Sequence, residues 1–126
     1  MASRTSSPLI HPDEEDFDLF RIMSALTDPV RLGIVTTLAS QPGLACSGFY
    51  QDVGARSALT RHFRILRESG LIRQHDVGTR RINTLRKAEL DHRFPGLLDL
   101  VIREAAGRTA PAADAPADPT PDPADA

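Results

Sequence analysis

A chain of 126 residues with formal net charge −2, 40% hydrophobic and 5% aromatic residues supports one domain and is too short for a two-lobed enzyme, a Rossmann unit or an α/β barrel. No apolar run approaches the roughly 18 to 20 residues that cross a bilayer, and Met1-Ala2-Ser3-Arg4 is not followed by an apolar stretch, so a soluble, cytoplasmic protein is expected. The single cysteine, Cys46, allows no internal disulfide and no Cys-x-x-Cys pair.

Residues 1–12 read as a flexible arm. A helix is predicted from Asp13 to Leu26, with acids in its first turn where the macrodipole favours them and apolar residues on more than one side. Thr27-Asp28-Pro29 stops it and starts the next, because Asp28 can cap orphan amides while Pro29 loses nothing at the first helical position. That second helix runs to about Ala39 with Val30, Ile34, Val35 and Leu38 inward, ending at Gln41-Pro42-Gly43. A short helix over residues 46–53 is weakened by Gly48.

From Ser57 to Ser69 the spacing of Leu59, His62, Phe63 and Leu66 is helical, and Gly70 stands where a helix closes. Residues 71–77 and 80–85 then read as strands joined at Gly78-Thr79. A last helical stretch from Lys87 to about Ala105 is interrupted near Phe94-Pro95-Gly96, with Leu90, Phe94, Leu97, Leu98 and Val101 along one seam. Residues 107–126, mostly Ala, Pro and Asp, are expected to be disordered, since they carry nothing to bury. Their acidity could shield a basic segment or serve solubility.

Charge is segregated along this order. Residues 1–20 carry net −4 and residues 88–126 net −5, whereas residues 55–87 carry net +7, supplied almost wholly by arginine. Arginine's fork matches phosphate oxygens and guanine edges. The predicted architecture over residues 13–106 is mainly α with a small β-hairpin wing, the order of a winged helix-turn-helix. On the helix from Ser57, the short Ser57, Ala58 and Thr60 allow close approach to bases, and Arg56 just before it together with Arg61, His62, Arg64 and Arg67 is assigned to base edges or phosphates. Thr79, Arg80 and Arg81 lie at the wing tip, toward adjacent phosphates or the minor groove.

The strings Ala25-Leu26-Thr27-Asp28-Pro29-Val30-Arg31-Leu32 and Ser57-Ala58-Leu59-Thr60-Arg61-His62-Phe63-Arg64-Ile65-Leu66-Arg67-Glu68-Ser69-Gly70-Leu71, followed by Gly78-Thr79-Arg80-Arg81, resemble the ArsR/SmtB family of bacterial transcriptional repressors over roughly residues 18 to 104. The resemblance implies a homodimer on an inverted-repeat operator in double-stranded DNA, released when an inducer binds. It also implies dimerisation through the first and last helices, which would use Phe17, Phe20, Leu90, Phe94, Leu97, Leu98 and Val101. The recognition helices of such a dimer lie about 34 Å apart.

The family's metal sites are not matched. Where its thiolate pair stands this chain reads Leu44-Ala45-Cys46, and in the last helical stretch Asp91 and His92 are adjacent with no second histidine following. No metal, no cofactor and no catalytic residue is therefore expected. A small-molecule effector is left open, as is Cys46, either a buried apolar residue or a thiol that responds to oxidants. An enzyme pairing Cys46 with His62 or His92 lacks any supporting motif. A winged helix used for protein interaction alone does not account for the arginines.

Overall fold

The computed structural model describes residues 9–49 and 56–114. The expected single helix over Asp13–Leu26 is instead a 3-10 turn, Glu14–Asp16, and a separate helix α1, Leu19–Leu26. Phe17 between them is extended and 3% exposed. Two local interactions make the break: Phe17 N–H returns to the Glu14 carbonyl, and the Asp18 carboxylate accepts from Phe20 N–H at 3.0 Å, restarting the helix as an N-cap. Burial of the Phe17 ring then favours the extended link over a continuous helix. The ring lies against Gly70, whose φ is +97°, and a Cβ there would sit 2.5 Å from Phe17 Cε1. Glycine is required at residue 70 by both conformation and space.

Helix α2, Pro29–Ser40, begins as expected, with the Asp28 carboxylate accepting from Val30 N–H at 2.8 Å and Arg31 N–H at 3.2 Å. A two-residue strand β1, Leu44–Ala45, follows, and a 3-10 turn, Cys46–Phe49, occupies the start of the expected 46–53 helix. The remainder of that expected helix lies outside the described residues. Helix α3 spans Arg56–Ser69, strand β2 Ile72–Val77 and strand β3 Arg80–Leu85. The sheet is antiparallel in the order β1-β3-β2; Val77 pairs with Arg80 around the Gly78-Thr79 turn, and Leu44 pairs with Asn83.

Helices α4, Lys87–Arg93, and α5, Leu97–Asp114, are separated at Phe94-Pro95-Gly96 as the Pro-Gly pair predicts, with Gly96 at φ +83°. Helix α5 continues past residue 106 into the stretch read as disordered from residue 107. Gly107 and Pro111 lower the intrinsic helix preference of this stretch, so the extension continues a helix nucleated by upstream packing, where Leu98 and Ala105 are buried.

One hydrophobic core joins these elements. Ile22 of α1, Val35 of α2, Leu59 and Leu66 of α3, Leu71 and Ile72 at the start of the wing are all fully buried. Removing the Leu66 side chain to alanine would cost about 2–5 kcal/mol, so the roll of α3 about its own axis is held by that stripe. What α3 shows to solvent is fixed by what it buries.

Candidate nucleic-acid interface

The buried stripe of α3 is Leu59, Phe63 and Leu66, with the Phe63 ring edge-on to Phe49 at 5.4 Å between centroids. Ser57, Ala58, Thr60, Arg61 and Arg64 consequently face solvent. At the wing tip Thr79 and Arg80 are exposed as well. Arg56 opens α3, but its side chain lies outside what is described.

Three residues expected at DNA contact are partly engaged within the chain. His62 is half-buried, and its Nδ1 accepts from Arg31 Nη1 at 3.1 Å, while Arg31 Nε donates to the Ala25 carbonyl at 2.8 Å. It joins α3 to the α1–α2 corner, because the helical turn that buries Phe63 carries its neighbour to the edge of the same face. Arg67 is half-buried and donates from Nη1 to Gln74 Oε1 at 2.7 Å. One turn beyond Arg64, its side chain meets β2 rather than open solvent, and burial lowers its guanidinium pKa from the ordinary value. Arg81 remains partly exposed but is held by Asp76 at 2.8 Å from Nε. The Asp76 hydrogen bond raises the Arg81 pKa, so that cation is already neutralised across the hairpin.

Beneath the wing lies a polar network that sequence patterning did not assign. Gln74 and Asn83 are 3% and 0% exposed. Gln74 Nε2 donates to Asn83 Oδ1 at 2.8 Å, and Asn83 Nδ2 donates to the Leu44 carbonyl at 3.0 Å and to Cys46 Sγ at 3.3 Å. The signal for it was strand alternation, which puts Gln74 on the same face as buried Ile72. Burial pushes the Cys46 thiol pKa up, against a smaller opposing effect of the Asn83 hydrogen bond, so the sulfur is protonated at neutral pH and is not an activated nucleophile.

The sequence matches the family described as "Helix-turn-helix domain" over residues 26–75. The whole fold resembles the crystal structure of an ArsR family transcriptional regulator at 23% identity and TM-score 0.53, covering 77% of this chain and 98% of that one. It also resembles an ArsR-like transcriptional regulator from Rhodococcus sp. RHA1 at 24% identity and TM-score 0.53, covering 79% and 94% respectively. The chain has a winged helix-turn-helix fold. No curated protein matches its sequence.

In this winged helix-turn-helix protein the residues expected at a dimer seam divide into two groups. Phe17, Leu90 and Leu98 are 2–3% exposed, already covered within the chain's own core. Phe94, Leu97 and Val101 are half-buried against that core, whereas Phe20 is 74% exposed. Two large apolar residues not assigned from sequence, Met23 and Leu100, are exposed too.

The histidines and acids form no metal cluster among the described residues. His92 Nδ1 pairs with the Glu14 carboxylate, which raises the histidine pKa, and His11 Nε2 accepts from Gln74 N–H at 3.0 Å on the outer strand. No helix among the described residues is long and apolar enough to cross a membrane.

Proposed function

We propose that this protein is a DNA-binding transcriptional regulator that acts as a homodimeric repressor on an inverted-repeat operator and is released by an effector other than a metal ion. The observation that carries it is the separation of the arginines. Within residues 57–87, Arg67, Arg73, Arg81, Arg86 and Lys87 are each bonded to a side chain of the same chain, while Arg61 and Arg64 of α3 and Arg80 of the wing are exposed with no ion pair among the described residues. A rigid helix and an adjoining hairpin that keep cations unneutralised suit a duplex, the helix toward the major groove and the wing toward flanking phosphates. Exposed Phe20, Met23 and Leu100 support a second copy as their cover, since lone apolar groups this large are unfavourable in water.

The test is a salt series on genomic fragments from the source organism. Affinity should fall linearly in log–log form, with a slope of about −0.9 for each phosphate contacted. Absence of binding, or binding indifferent to salt, rejects the proposal and favours a protein-interaction module. For the assembly, Phe20→Glu should shift sedimentation from dimer to monomer by placing a charge where apolar cover is needed; an unchanged dimer puts the interface elsewhere.

A further inference from the structure

A cavity of about 520 Å³ opens between α3 and the wing, within the range typical of small-molecule sites and much larger than one backbone phosphate requires. Its lining is mixed in kind, apolar at Phe63, Cys46 and Leu9 of the N-terminal arm and cationic at Arg64, Arg67 and Arg81. Asp76 also lines it, bonded to Arg81, so the lining keeps a net positive charge. Arg67 is half-buried. Its Nη1 is engaged by Gln74, but its Nε is buried with no partner among the described residues, a donor left unsatisfied by the folded chain. The arm closes one side, fixed by the hydrogen bond from Gln74 N–H to His11 Nε2.

We infer that this cleft binds a small organic anion with an apolar body, its carboxylate toward Arg64 and Arg67 and its body on Phe63 and Leu9. An apolar lining rewards burial of hydrocarbon and offers nothing to a bare phosphate, while the arginines give charge-assisted hydrogen bonds that a neutral analogue cannot use. Because Arg64 also belongs to the exposed face of the recognition helix, the occupant and DNA compete for it. That competition rests on the proposed function; binding of the anion does not.

The experiment uses 2-naphthoate, its neutral counterpart 2-naphthamide and inorganic phosphate, each titrated into the ¹⁵N-labelled full chain without DNA. Saturable shifts for Cys46, Phe63 and the Gln74 side-chain amide are expected with naphthoate, with the amide and phosphate at least roughly tenfold weaker. Arg67→Gln should weaken naphthoate by a similar factor, and Arg64→Gln, whose exposed side chain makes no ion pair among the described residues, gives the same readout should Arg67→Gln fail to fold. No saturable naphthoate binding, phosphate as good as naphthoate, or naphthamide as good as naphthoate each overturns the site. A second titration separates the two proposals. DNA binding without naphthoate binding removes the cleft and spares the regulator; naphthoate binding without DNA binding does the reverse; both bound at once removes the competition.

Discussion

Arg64 and Arg67 stand one helical turn apart in the same basic segment, yet the first faces solvent and the second reaches back to Gln74 on the wing. Arg80 and Arg86 differ in the same way at opposite ends of β3 and its exit. Arg80 is exposed at the hairpin tip, whereas Arg86 is 5% exposed, donates to both Glu89 oxygens at 2.8 and 2.7 Å and to the Pro12 carbonyl at 2.8 Å, and covers the Phe17 ring at 4.9 Å. A net +7 over residues 55–87 therefore overstates the charge offered to a partner. Part of it holds the fold together, and what remains outside is concentrated on one helix face and one turn.

The largest effect is expected at Arg86. Arg86→Ala leaves Glu89 without its strongest partner, strips the Phe17 ring and frees the Pro12 carbonyl, a loss of about 3 kcal/mol by analogy with broken buried pairs, reduced from the upper figures because Glu89 is partly exposed. Urea unfolding should show the midpoint fall. Retained stability would mean that Arg86 is as dispensable to the fold as Arg80. Arg64→Ala should do the opposite, leaving the urea midpoint in place and costing about 1–3 kcal/mol of DNA affinity if the side chain reads a base edge. Fluorescence anisotropy on the bound site measures it, and equal affinity would remove Arg64 from the interface.

A smaller effect is expected at the wing. Arg80→Ala should weaken specific and nonspecific DNA alike and make the salt slope shallower by about 0.9 for each phosphate the arginine neutralises. A change confined to sequence preference would make the wing a base reader instead.

Why the two kinds of arginine could not be told apart in sequence is physical. Helix α3, the hairpin and the α4–α5 break were legible because Leu59, Phe63 and Leu66 repeat at helical spacing, Gly78-Thr79 separates two strand-like runs, and Pro95-Gly96 cannot continue a helix. The direction of Arg67 depends on Gln74 across a tertiary contact, seven residues on, and the burial of Arg86 on Pro12 from the arm; neither leaves a periodic trace. Strand β1 is two residues long, too short for alternation to register. The split of the first helix at Phe17 depends on space beside Gly70 that exists only in the assembled core. Buried Phe17, Leu90 and Leu98 looked available to a second chain for the same reason: a seam pattern says that a face is apolar, not which neighbour covers it.

Titration separates the inward arginines from the outward ones with the least disruption. Arg86's side-chain hydrogen bonds hold the Glu89 carboxyl down to about 2, with burial opposing and Arg73 adding a weaker pull in the same direction. A carboxyl depressed in the folded state stabilises fully above its unfolded value near 4.5 and loses that stabilisation as pH falls toward about 2. The wild-type chain should therefore lose stability across that window, and Glu89→Gln should start less stable at neutral pH and lose less of it on acidification. Parallel curves for the two proteins would show that Glu89 gains nothing from Arg86. Arg86 would then be held by its packing on Phe17 and its bond to the Pro12 carbonyl rather than by Glu89, and its place would owe more to shape than to charge.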